Sequence, residues 1–96
     1  MPKYNYNITM NTLLGQKKGT IELYDFDNKL HGFLNILNKC NEFSGERNKN
    51  GECTLNGKIV TLVQSIPYTA VGYADENEIN LDVKCKKYTF QIHGSS

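Results

Sequence analysis

Leu55–Leu62 reads LNGKIVTL, and twenty-five residues earlier Leu30–Leu37 reads LHGFLNIL. Each stretch opens on Leu-x-Gly, and in each the glycine keeps the phase of the alternating apolar residues. Successive side chains of a strand point to opposite faces, so Leu30, Gly32, Leu34 and Ile36 share one face, as do Leu55, Gly57 and Ile59. A glycine inside a strand weakens it and marks a bend or a close approach. A sheet closes into a barrel only if its strands coil sharply, and glycine on the concave face relieves the crowding there. Gly19, Gly32, Gly45 and Gly57 follow one another at intervals of 13, 13 and 12 residues, about one strand and its turn. Gly72 and Gly94 keep the same inward phase.

The period of two extends along the chain. Tyr4, Tyr6, Ile8 and Met10 alternate with Asn5, Asn7, Thr9 and Asn11, and later sets include Ile79-Leu81-Val83-Cys85 and Tyr88-Phe90-Ile92. Turn-forming residues cluster at 25–29, 38–41, 48–51 and 75–78. Asn50-Gly51 is the strongest type I′ signal. The one longer connection is expected over Asn11–Gly19. This pattern predicts an all-β, antiparallel up-and-down meander of seven to eight strands forming one domain over residues 1–96. A small closed barrel is favoured; the alternative is a two-sheet β-sandwich.

The skeleton GTIEL … LHGFLNIL … FSG … GECTLNGKIVTL … IPYTAVG … INLDV … FQIHG resembles a group of short bacterial all-β proteins. That resemblance runs from Gly19 onward and implies a fold but no activity. More distantly the alternation resembles lipocalin-type barrels, although their Gly-x-Trp opening is missing from a chain that has no Trp. The ligand role this implies is analogy at the level of the fold.

Bulk properties narrow the classes of function. Charged residues make up 22% and the formal net charge is +1, too little in total for a strong field toward nucleic acid or anionic membrane. The opening MPKYNYN has no signal-peptide pattern, and no apolar run reaches membrane-spanning length. Cys40, Cys53 and Cys85 are odd in number and irregularly spaced, which points to a reducing, cytoplasmic setting.

Chemistry-bearing patterns are sparse, so no enzyme, metal or cofactor is expected. His31 and His93 fall in the outward phase without ligands at metal spacing. Lys84, Lys86 and Lys87 surround Cys85 and would lower a thiol pKa, but alternation turns the thiol away from them. The same lysines, with Lys17 and Lys18, make a weak case for single-stranded nucleic acid, because no exposed aromatic platform accompanies them.

Two features carry the functional expectation. Tyr4, Tyr6, Phe43, Thr61 and Tyr68 fall in the inward phase beside glycines. They are expected to line a small, partly polar pocket at a barrel mouth, with Leu13 and Leu14 in a covering loop. A filled core is the competing reading. Val60, Leu62, Val71 and Tyr73, with Phe33 and Leu37, are apolar in the outward phase and suggest a homodimer interface. The expected function is thus a non-catalytic small-ligand or peptide binding barrel. The alternative is an interaction protein working through its outer face.

Overall fold

The protein is described by a computed structural model, which covers residues 3–12, 15–60, 63–86 and 89–96. Eight strands follow in order: β1 (Lys3–Thr12), β2 (Gly15–Phe26), β3 (Lys29–Ile36), β4 (Lys39–Arg47), β5 (Glu52–Val60), β6 (Ser65–Ala74), β7 (Glu78–Lys84) and β8 (Thr89–Ser95). Each pairs antiparallel with the next, and β8 returns to β1 through Asn7↔Ser95 to Asn11↔Gln91, closing the barrel. Because the strands alternate in direction, β1–β2, β3–β4, β5–β6 and β7–β8 are joined at one end, called upper here. The β2–β3, β4–β5 and β6–β7 links and the two ends of the described chain lie at the lower end.

The two Leu-x-Gly stretches occupy β3 and β5, and the structure shows why each needs its glycine. Gly32 lies opposite Phe43, and Phe43 lies opposite Gly57. A Cβ at Gly32 would stand 2.9 Å from the Phe43 ring and would also strike the Glu22 carbonyl of β2. At Gly57 a Cβ would come within 3.0 Å of the Phe43 Cβ and 2.9 Å of the Tyr68 hydroxyl. The row Leu23–Gly32–Phe43–Gly57–Tyr68 therefore alternates large and absent side chains across five strands. That alternation fits three bulky groups onto one concave surface.

Turn chemistry departs from expectation in three places. The positive φ pairs belong to Asp27-Asn28 (53° and 66°) and Leu37-Asn38 (55° and 62°), whereas at Asn50-Gly51 only Gly51 is positive, at 86°. There Asn48 Oδ1 accepts the N–H groups of Asn50 and Glu52, both at 2.9 Å, and builds a longer loop than a two-residue turn. The turn expected at 38–41 is displaced to 37–38, because Lys39 to Asn41 already pair with β3. The expected long connection at Asn11–Gly19 is mostly ladder: Asn11 pairs with Gln16 and Thr12 with Gly15. Gln16, Lys17 and Lys18 hid that strand because they supply no apolar alternation.

Candidate functional site

The barrel interior has a floor at its lower end. Asp25 and Arg47 fall in the inward phase of β2 and β4, continuing Ile21-Leu23 and Phe43-Gly45. Arg47 Nε lies 3.3 Å from Asp25 Oδ2, and each side chain is less than a fifth exposed. Arg47 Nη1 donates to the Ala74 carbonyl at 2.7 Å, tying β4 to the end of β6. Tyr6 donates its hydroxyl to the Asp75 carbonyl at 2.5 Å, and its pKa is pushed up to about 12 by burial. Asp75 Oδ1 accepts from the backbone of Glu78 and Asn77, and these bonds hold its pKa low. Beside this latch the Cys53 thiol is buried and its pKa is raised by desolvation.

At the upper end the buried inward residues include Met10 on β1, Ile36 on β3, Asn41 on β4, Ile59 on β5, Tyr68 on β6 and Phe90 on β8, with Lys17, Ile66 and Cys85 half-buried in the same phase. Tyr68 and Phe90 keep 7% and 8% exposure, while Leu23 and Ile79 toward the floor keep none. Burial raises the Tyr68 hydroxyl to about 12, and it raises the thiol of the half-buried Cys85 as well. The neighbouring lysines therefore do not produce an acidic thiol at Cys85.

The upper wall is also split. The β4–β5 ladder ends at Phe43↔Gly57, although β4 continues up to Lys39 and β5 to Val60. Asn41 bridges the divergence: its Oδ1 accepts the Val60 N–H at 2.9 Å, and its Nδ2 donates to the Leu34 carbonyl at 3.1 Å. The side chain is buried, at 3% exposure, with both ends of its amide bonded. A cleft of about 390 Å³ opens along this divergence, next to Phe43, Gly57 and Val60. A second, of about 570 Å³, lies between Lys17-Lys18 and the Leu37-Asn38 turn.

The expected pocket residues do not all meet. Tyr4 and Tyr6 begin β1 and belong to the lower end, where they stack with ring centroids 6.5 Å apart. Tyr68 lies near the start of β6 and belongs to the upper end. Phe43 packs between the two ends, 3% exposed. Leu13, Leu14 and Thr61 lie outside the described residues.

The expected interface is divided too. Val60 pairs with Ser65 at the upper end of the β5–β6 hairpin and Tyr73 with Glu52 at its lower end, eight rungs apart. Val71 and Phe33 are half-buried, Leu37 occupies the upper β3–β4 turn, and Leu62 lies outside the described residues. A separate outer groove of about 820 Å³ runs over β3–β5, bordered by Phe26, His31, Ser44, Glu46, Thr54 and Asn56. His31 stacks on Tyr24 at 5.0 Å, and His93 Nδ1 lies 2.7 Å from Asn80 Oδ1, so both histidines are outer-face residues. Among the described residues no group of His, Cys, Asp and Glu is arranged to hold a metal ion.

Arg47, Asp25 and Asn41 were missed as structural determinants. Their signal was available: each is a polar residue in the inward phase of a strand, where only an internal partner makes it tolerable.

No family model matches the sequence, and no curated protein matches it. Among solved structures the chain is similar to a redesigned β-barrel, mFAP1, bound to DFHBI, with a TM-score of 0.70 at 9% identity over 97% of this chain and 92% of that one. It is also similar to the apo form of Caenorhabditis elegans lipid binding protein 8, with a TM-score of 0.50 at 7% identity over 81% of this chain and 70% of that one. At such identities the likeness is one of fold, and the fold common to this chain and its neighbours is a β-barrel.

Proposed function

We propose that this chain is a non-catalytic binding barrel that takes a small, largely apolar ligand at its upper end. The observation that carries the reading is Tyr68. Its hydroxyl projects into the interior over Gly57, at the end that Arg47 and Tyr6 do not latch. A phenol in an apolar interior favours a hydrogen-bonding partner, and a ligand bearing one polar group would supply it. Met10, Ile36, Ile59 and Phe90 would contact the apolar remainder. Eight-stranded barrels either fill with side chains or hold one small ligand. Analogy points the same way: one neighbour is solved bound to DFHBI and the other is called a lipid binding protein.

Native mass spectrometry tests the reading on protein purified from its own host without denaturation. The expected spectrum shows an adduct that organic extraction removes, and that Tyr68→Phe protein retains less well. Bare protein from wild type and variant alike would overturn the reading.

A further inference from the structure

The net charge of +1 hides a polarity along the barrel axis. Lys17, Lys18, Lys39, Lys58, Lys84 and Lys86 all lie within four residues of an upper link, and Glu42 and Asp82 are the anions of that band. At the lower end anions stand at every link, Asp25 and Asp27 at the first, Glu46 and Glu52 at the second, Asp75, Glu76 and Glu78 at the third, and they outnumber the cations Lys3, Lys29, Arg47 and Lys49 there. The ion pairs Lys29–Glu46 and Arg47–Asp25 also lie at the lower end. A protein that meets water evenly on all sides has no need of this segregation. A protein that approaches an anionic surface is turned by it, upper end first.

The apolar residues exposed at the same end have a particular character. Val63 is 87% exposed, Leu37 43% and Val60 39%; Leu37 lies in the β3–β4 turn, Val60 ends β5 and Val63 lies between β5 and β6. All three are aliphatic. Among the described residues the exposed aromatics Phe26 and Tyr73 and the Tyr24–His31 stack sit in the lower half, on the acidic side. A nucleic-acid groove combines cations with aromatic platforms, whereas an interfacial membrane surface combines lysines with aliphatic side chains that enter the headgroup layer. We infer that the upper end docks on an anionic lipid bilayer, its lysines at the headgroups and Leu37, Val60 and Val63 inserted between them. This rests on the upper rim, where Lys17 and Lys39 stand in the inward phase and Lys18, Lys58 and Lys84 in the outward one, and it stands whether or not the interior takes a ligand.

Co-sedimentation with vesicles of phosphatidylcholine, with and without phosphatidylserine, tests the inference. Binding should require phosphatidylserine and weaken as salt rises. Each lysine near such a surface is worth about fivefold, so the double variant Lys39→Gln/Lys58→Gln should bind roughly 25-fold more weakly. Lys49→Gln, at the lower end, should change binding by less than about twofold on the same scale. A second readout needs no charge variant: a polarity-sensitive dye on the exposed Cys40, beside Lys39, should shift to the blue on phosphatidylserine vesicles. Equal partition on neutral vesicles, no partition at low salt, or no dye shift would overturn the inference. So would a single-stranded oligonucleotide that strips the protein from the vesicles, which would give the lysines to nucleic acid.

Discussion

The two ends of this barrel are built from the same strands by different means. At the lower end polar groups are turned inward and spent on one another: Arg47 on Asp25 and Ala74, Tyr6 on Asp75. At the upper end the inward groups are mostly apolar, the β4–β5 ladder stops short, and Asn41 spans the divergence with a side chain. Anions outnumber cations at the first end, and lysines outnumber anions at the second. A latch gains rigidity by engaging its polar groups with one another, although Arg47 Nε, paired with Asp25 by charge, is buried without a hydrogen-bond partner. The comparison thus assigns the polar latch to the lower end and leaves the upper end as the place for the proposed ligand.

The largest effect should come from the inward glycines. A Cβ at Gly45 would strike the backbone carbonyl of Thr54, which cannot move without parting β4 from β5. Gly45→Ala should therefore cost above about 3 kcal/mol. At Gly57 the nearest atom is the Tyr68 hydroxyl, the far end of a side chain, so Gly57→Ala should cost about 1–2 kcal/mol. Urea unfolding of both variants checks the ranking, and equal losses would break the comparison.

Arg47→Ala comes next. It deletes the bond to Ala74 and leaves Asp25 partly buried without its cation, at about 2–3 kcal/mol. Tyr6→Phe should cost about 1 kcal/mol for its bond to Asp75, and Tyr68→Phe about half of that. If Tyr68→Phe proves the costlier of the two, the upper end is a latch as well.

The fold was legible because three signals agreed: the period of two, the inward glycines and the turn residues. The floor was not read, although Asp25 and Arg47 stood in the inward phase, since a charge at a strand end is normally taken for a solvated one. Nor was it seen that Tyr6 and Tyr68 lie at opposite ends. Parity alone settles that point, since Tyr6 begins an odd-numbered strand and Tyr68 an even-numbered one. The Leu37-Asn38 turn carries no residue signal at its first position. A leucine there adopts φ 55° because the pairing of β3 with β4 requires it.

Alkaline pH sharpens the comparison further. Both buried tyrosines are raised from 10.0 to about 12. Between those values the unfolded chain releases protons that the folded chain keeps, so stability is full below pH 10 and falls as pH climbs toward 12. Tyr6→Phe and Tyr68→Phe should each flatten part of that fall, as measured by urea midpoints on either side of pH 10. The smallest effect is kinetic. An aromatic disulfide reagent should modify the exposed Cys40 first, the half-buried Cys85 at the upper end next, and Cys53 beside the latch only on unfolding. Cys53 reacting before Cys85 would mean that the floor opens first.

The most direct test of the division between the ends is amide hydrogen exchange on protein purified from its host, before and after its small molecules are extracted. The account predicts that extraction loosens amides around Met10, Ile36, Ile59, Tyr68 and Phe90 and leaves those around Tyr6, Arg47 and Asp75 unchanged. Loss of protection at the lower end, or no change at either end, would contradict it.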